Sequence, residues 1–191
     1  MKQKRNFKKG FLGISWDLLK VFLSALAVVL VVRYFFIQPF FVKGQSMEPN
    51  FHDKEYLIVD EISYRLRKPE RGDVIVFKYP RNPSEYYIKR IIGLPNETVN
   101  IKEGEVIIFN QENQDGLVLS ESYLPNSAYT SGNTYITLGD DEFFVLGDNR
   151  NPNGSSDSRH WGLLDKKYII GRTWLRLWPL NKMDIIKEPS Y

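Results

Sequence analysis

Tyr86-Tyr87-Ile88-Lys89-Arg90-Ile91-Ile92-Gly93, closed by Leu94-Pro95-Asn96, decides the fold class. The run is rich in aromatic and β-branched side chains and stops at a turn signal, so it reads as a strand. Strand alternation puts Tyr87, Lys89 and Ile91 on one face and Ile88, Arg90 and Ile92 on the other. Similar short runs lie on both sides of it: 40–43, 56–60, 73–78, 98–101, 106–109, 135–138, 142–146, 169–172 and 174–177. Turn signals separate them at Lys68-Pro69, Tyr79-Pro80, Glu103-Gly104 and Gly139-Asp140-Asp141. Many short strands with frequent turns predict a mostly β domain rather than alternating β–α units. Residues 110–133, rich in Asn, Gln, Ser, Gly and Tyr, read as a polar excursion. It is expected to belong to a smaller β subdomain, 98–138, inserted into a core built from 38–97 and 139–191.

Upstream of the strands the pattern changes. From Leu18 to Phe36 the sequence is nearly continuous in apolar residues, broken only by Lys20 and Arg33. Both charges lie near the ends, where long side chains reach the membrane interface, and Trp16 and Tyr34 stand where interfacial aromatics are expected. About 20 such residues span a bilayer core. Residues 18–37 are therefore expected to form one transmembrane α-helix behind a basic tail, 1–17. A cleaved export signal fits less well, because bulky residues follow the run where a small-x-small site would be needed. The positive residues before Gly10 place the N-terminus in the cytoplasm and the chain after Pro39 on the far side.

Composition narrows the chemistry. The chain has 191 residues, of which 42% are hydrophobic and 14% aromatic, so a packed core is expected and wholesale disorder is not. Cysteine is absent, which removes disulfides, thiol catalysis and thiolate metal sites. With His52 and His160 as the only histidines, no metal or cofactor site is expected. Net charge is +3, yet residues 1–20 hold six cationic side chains against Asp17. The remainder is slightly acidic and carries no basic stripe, so nucleic acid is not an expected partner.

Four segments carry candidate chemistry: Gly44-Gln45-Ser46-Met47-Glu48-Pro49; Arg71-Gly72-Asp73 leading into Val74-Ile75-Val76-Phe77; the strand around Lys89; and Gly147-Asp148-Asn149-Arg150 followed by Ser155-Ser156-Asp157-Ser158-Arg159-His160-Trp161-Gly162. A serine hydroxyl needs an adjacent base to attack a carbonyl, and Ser46 stands in a constrained turn. A lysine among apolar neighbours loses its charged form more readily and becomes a usable base. On this ground Lys89 and Lys78 are not separated. Arg71-Gly72-Asp73 invites an adhesion reading, but it continues into an apolar strand and is better read as a turn. A histidine triad is the rival mechanism, with His160 beside Asp157 and Ser158.

In this order, behind an apolar run, the four segments resemble the successive boxes of bacterial type I signal peptidases. The resemblance spans residues 44–162 and implies a signal-peptidase-like β fold, an endopeptidase activity and secretory preproteins as substrates. It implies Ser46 as nucleophile, Lys89 as base, Ser155 (with Ser156 as alternative) orienting Lys89, and Asp157 paired with Arg159. It implies no catalytic role for His160, no cofactor, attachment to the bacterial cell membrane and work beside the secretion machinery. The sequence departs from the pattern at Gly44, where many members carry a hydroxyl residue, and in the longer Arg150–Ser155 loop. Two other readings are weighed. A self-cleaving serine–lysine regulator would carry a DNA-binding module instead of an apolar run, and a non-catalytic β module would not need Ser46 or Lys89.

Overall fold

The computed structural model describes residues 16–27, 38–187, 189 and 191. The chain divides into two units, Met1–Gln38 and Pro39–Tyr191. In the first unit residues 16–27 form a helix, α1, exposed along its length. Trp16, Leu18, Val21 and Phe22 are each 60% exposed or more. Lys20 reaches back to Asp17 at 3.1 Å, one helical turn away. Among the described residues no helix is long and apolar enough to cross a membrane. The anchor expected over 18–37 runs on through 28–37, which lies outside the described residues.

The second unit is mostly β. Its larger sheet takes strands β1 (Gln38–Phe41), β2 (Tyr56–Asp60), β3 (Val74–Tyr79), β4 (Asn82–Gly93), β9 (Glu142–Leu146), β10 (Leu164–Asp165), β11 (Ile169–Trp178) and β12 (Asp184–Ile185). Their order is β1-β2-β11-β3-β4-β9-β10, with β12 beside β11. The smaller sheet, β7-β6-β5-β8, comes from β5 (Thr98–Lys102), β6 (Glu105–Phe109), β7 (Leu117–Val118) and β8 (Thr134–Thr137). The pairings β2–β11, β11–β3, β3–β4 and β4–β9 are antiparallel. Two short helices, α2 (Ser63–Leu66) and α3 (Ser158–Trp161), complete the unit.

Alternation assigns side chains to separate cores. On β4, Tyr87 and Ile91 pack with Ile75 and Phe77, Ile88 packs with Met47 and Leu57, and Ile92 packs with Val99 and Ile108. On β9, Phe143 and Val145 join the first of these clusters while Phe144 and Leu146 join the last. Both faces of β9 are covered, so the strand reads as an apolar run rather than an alternating one. The cluster around Ile92 and Phe144 also holds Val99, Ile101, Val106 and Ile108. One continuous core thereby joins the two sheets.

One sequence expectation changes here and another gains detail. The separate strands 169–172 and 174–177 are the single strand β11, in which the register to β2 shifts between Thr173 and Leu175. A bulge supplies the bend without ending the strand. Arg71-Gly72-Asp73 is the expected turn into β3, pinned by its side chains. Gly72 takes φ +93°, a region that favours glycine. Asp73 is buried and accepts from the Tyr64 hydroxyl at 2.7 Å and the Glu70 N–H at 3.0 Å. Arg71 pairs with Glu97 at 2.6 Å.

Candidate active site

Ser46 stands on the turn between β1 and β2, and Lys89 on β4. Lys89 Nζ lies 2.8 Å from Ser46 Oγ. The same amine donates to the Ile88 carbonyl at 2.8 Å, which fixes its direction. Met47, the neighbour of Ser46, is buried against Val42, Phe51, Leu57 and Val74, so the turn hangs from the core by one side chain. Backbone bonds from Asn50 and Phe51 to the Met47 carbonyl close it.

Burial separates the two lysines that alternation leaves equivalent. Lys78 is exposed, whereas Lys89 is only 3% exposed. Loss of water around the Lys89 ammonium lowers its pKa to about 8. The Asp157 and Asp148 carboxylates pull it up and Arg159 pushes it down, but burial dominates.

Beside the pair opens a cleft of about 640 Å³. Val42, Leu57, Val76 and Ile88 give it apolar walls, and Ser46 and Lys89 line it as well. It lies between the chain at 40–43 and the stretch 84–89 of β4. β9 meets β4 only at Arg90, Ile91 and Gly93, so the edge of β4 along 84–89 is left uncovered by β9.

The loop after β9 holds the nucleophile turn from behind. Asn149 donates its N–H to the Ser46 carbonyl at 3.1 Å and its side-chain amide to the Gln45 carbonyl at 3.1 Å. Gly147 has no room for a side chain, because a Cβ there would meet the Ser155 side chain and the Ser46 carbonyl. Asp148 is buried and grips Arg90 with both oxygens, at 2.9 and 2.7 Å, while accepting from Asn50 at 2.8 Å. The sequence alone assigns Gly147, Asp148 and Asn149 no individual role. Their signal is the run Gly147-Asp148-Asn149-Arg150 itself, a glycine followed by three polar residues directly after the apolar stretch 143–146.

The remaining expected site residues are distributed as follows. Asp157 and Arg159 form a two-pronged pair at 2.8 and 2.7 Å. Burial pushes the Asp157 carboxyl up, but the Arg159 guanidinium and the Gly147 N–H outweigh it and hold it below the usual range. Ser155 is buried without a hydrogen bond to Lys89. The Lys89 amine instead uses the Ile88 carbonyl, and Ser155 packs against Gly147. Ser156 is exposed and lines the cleft. His160 is half exposed, 3.9 Å from an Asp157 already engaged by Arg159, and His52 faces Glu48 at 3.7 Å. Gly44 takes φ +82° with open space where a side chain would point. Its N–H is committed to Asp53 at 2.8 Å. Among the described residues no group of three His, Asp or Glu side chains is arranged to hold a metal.

A hydroxyl next to a buried amine at the head of an apolar cleft is equipment for acyl transfer, the chemistry of a peptidase. The family model described as "Signal peptidase, peptidase S26" matches residues 15–178. The chain is 40% identical to "Signal peptidase I" of Leptolyngbya laminosa over 87% of its length and 82% of that protein's. It is 34% identical to "Probable signal peptidase I-2" of Synechocystis sp., over 92% and 79% of the two chains. It is 33% identical to "Signal peptidase I" of Bacillus amyloliquefaciens, over 95% and 96%. The chain belongs to the signal peptidase family, peptidase S26.

Proposed function

We propose that this chain is a membrane-anchored endopeptidase that removes N-terminal signal peptides from secretory preproteins through a Ser46 acyl-enzyme, with Lys89 as base. The observation that carries the reading is the 2.8 Å approach of a buried lysine amine to a serine hydroxyl lining an apolar cleft. Neutral Lys89 takes the Ser46 proton as Oγ bonds to the scissile carbonyl carbon, and the carbonyl electron pair moves onto oxygen. The Ser46 N–H is the donor assigned to that oxyanion, since the Gly44 N–H is committed to Asp53. Collapse breaks the C–N bond, and Lys89 passes its proton to the leaving amine. Lys89 then accepts a proton from water as the water oxygen attacks the ester carbon, and Oγ leaves with that proton.

The free edge of β4 suits an extended polypeptide, held by backbone bonds with small side chains against Val76 and Ile88. This fits substrates cut after a small-x-small sequence. Around Ser46 the inner shell is Lys89, Asn149 and Gly147; Asp157 and Arg159 hold the loop behind it, and Ser155 acts through Gly147 rather than through Lys89. In this reading residues 98–138 are a side subdomain on the catalytic core. Purified protein incubated with a preprotein is expected to release a mature chain beginning after small-x-small. Absence of that product with a substrate that a related signal peptidase cleaves refutes the reading.

The bilayer enters as a partner through the apolar run 18–37, with the N-terminus cytoplasmic and the cleft on the far side, near the secretion machinery. Ser46 lies nine residues past Ile37, and an extended chain of about 3.3–3.6 Å per residue keeps it within roughly 32 Å. The second unit offers a matching surface. Phe41 packs edge-on against Tyr56, which pairs with Trp178 on β11, and Leu180, Met183 and Ile185 follow, all exposed. Trp178→Ser/Leu180→Ser is expected to lower cleavage of a membrane-embedded preprotein several-fold while sparing a short peptide in detergent. Equal effects on both substrates, or none on either, contradict the membrane role of this surface.

A further inference from the structure

Tyr123 lies in the polar excursion, outside any regular element, yet it touches the segments of both proposed catalytic residues. We infer that Tyr123 is a positioning residue that clamps the strand bearing Lys89 to the turn bearing Ser46. The inference rests on the proposed roles of that pair.

The ring, the backbone carbonyl and the hydroxyl each make separate contacts. The ring receives the guanidinium of Arg90, the residue after Lys89, with its carbon 3.9 Å from the ring centroid. The backbone carbonyl accepts the side-chain amide of Asn50 at 3.0 Å. Asn50 closes the Ser46 turn through its own N–H and also donates to Asp148. The hydroxyl accepts from Arg150 at 3.0 Å and donates to the Glu121 carboxylate. Arg150 in turn is buried and donates to the Gly147 carbonyl at 2.9 Å, Glu121 at 2.7 Å and Thr130 at 2.8 Å. Gly147 is the residue pressed between Ser155 and the Ser46 carbonyl.

The chemistry explains why a tyrosine serves here. Arg90 and Arg150 are two buried cations held by two carboxylates, Asp148 and Glu121. An aromatic face attracts one guanidinium, and a phenol oxygen accepts from the other. Burial raises the Tyr123 phenol well above its ordinary value, so the hydroxyl keeps the proton it gives to Glu121. Leu119 and Leu124, both buried, anchor the excursion on either side of Glu121 and Tyr123. Ser46 sits on a turn rather than a sheet strand, so its distance to Lys89 depends on such ties. A displacement of about 1 Å in a reacting pair costs on the order of 10²-fold in rate.

The test compares Tyr123→Leu and Tyr123→Phe with wild type on a preprotein-derived peptide across pH, beside urea unfolding of each variant. Tyr123→Leu removes both ring and hydroxyl and is expected to lower kcat about 10²-fold with KM changed less than about threefold, because no cleft wall is touched. Loosening admits water to Lys89, so the acid limb of the pH–rate profile is expected to move upward. Tyr123→Phe keeps the ring and is expected to give a smaller loss in the same direction. Unchanged kcat and limb in a folded variant overturn the inference. So does a loss accounted for by the unfolded fraction alone with the limb in place. If Tyr123→Leu does not fold, Tyr123→Phe carries the same two outcomes. Ser46→Ala and Lys89→Ala run alongside: activity in either refutes the proposed function itself, whereas their inactivity with undisturbed Tyr123 variants refutes only this inference.

Discussion

Lys89→Met is expected to abolish preprotein cleavage, lowering kcat by about 10⁴-fold or more. Methionine matches the buried stem but has no amine, so Ser46 keeps its turn and loses its base. The loss is expected in kcat rather than KM, since the apolar walls remain, and Ser46→Ala/Lys89→Met is expected to be no worse than either change alone. The wild-type profile gives the companion result. The working form is the neutral amine, so the rate rises with pH through about 8, where burial holds Lys89, and levels off above it. A limb near the ordinary lysine value of 10.5 contradicts a buried base. Rapid-quench turnover across pH 6–10, a span of about two units on each side of 8, measures both quantities.

Asp148→Ala is expected to destabilise the fold by about 3–5 kcal/mol, because it leaves the Arg90 guanidinium buried without its carboxylate. Arg90 is 3% and Asp148 2% exposed, so water does not replace the lost partner. Asn50 loses an acceptor in the same change and the Ser46 turn is loosened from β4. Urea unfolding checks the stability, and a difference below about 1 kcal/mol contradicts the reading of this pair as a buried tie. A second sign follows from electrostatics. Asp148 pulls the Lys89 pKa upward, so loss of its charge works against the upward shift that loosening brings, and in the folded fraction the acid limb of Asp148→Ala is expected to move up less than that of Tyr123→Leu.

A different pair contributes to the response to acid. The Asp157 pKa is held below its ordinary 3.8, so this carboxylate adds stability at neutral pH. That contribution is present above 3.8 and is lost as the pH falls through the lower folded value.

Much of the sheet was legible because its strands are short, apolar and bounded by turns. Tyr56–Asp60 and Glu142–Leu146 have the bounds read from the sequence. β4 begins four residues earlier than expected, at Asn82, because β3 pairs with it right up to the Tyr79-Pro80 turn. The two-residue strands β7, β10 and β12 escaped, since a pair of residues carries no period. Helix α3 escaped for a related reason: its start is an Asp157 cap donated to by the Arg159 N–H, in a segment too short for a 3.6 repeat.

The site was legible in its residue types and not in its geometry. Alternation grouped Lys89 with Tyr87 and Ile91 but could not distinguish it from Lys78, because burial depends on strands distant in sequence. The Asp157–Arg159 pair is local and was readable. The tie between Asp148 and Arg90 spans 58 residues, and that from Asn149 to the Ser46 carbonyl runs between segments farther apart still. The resemblance implies Ser155 beside Lys89; in the structure Ser155 lies against Gly147 and makes no hydrogen bond to Lys89.

The most direct measurement is cleavage of one preprotein by the purified wild-type chain and by Ser46→Ala, with both shown to be folded. The wild type is expected to yield the mature protein and Ser46→Ala none above the uncatalysed background, because the 2.8 Å partner of Lys89 is then gone. Cleavage by Ser46→Ala at the wild-type rate contradicts the account.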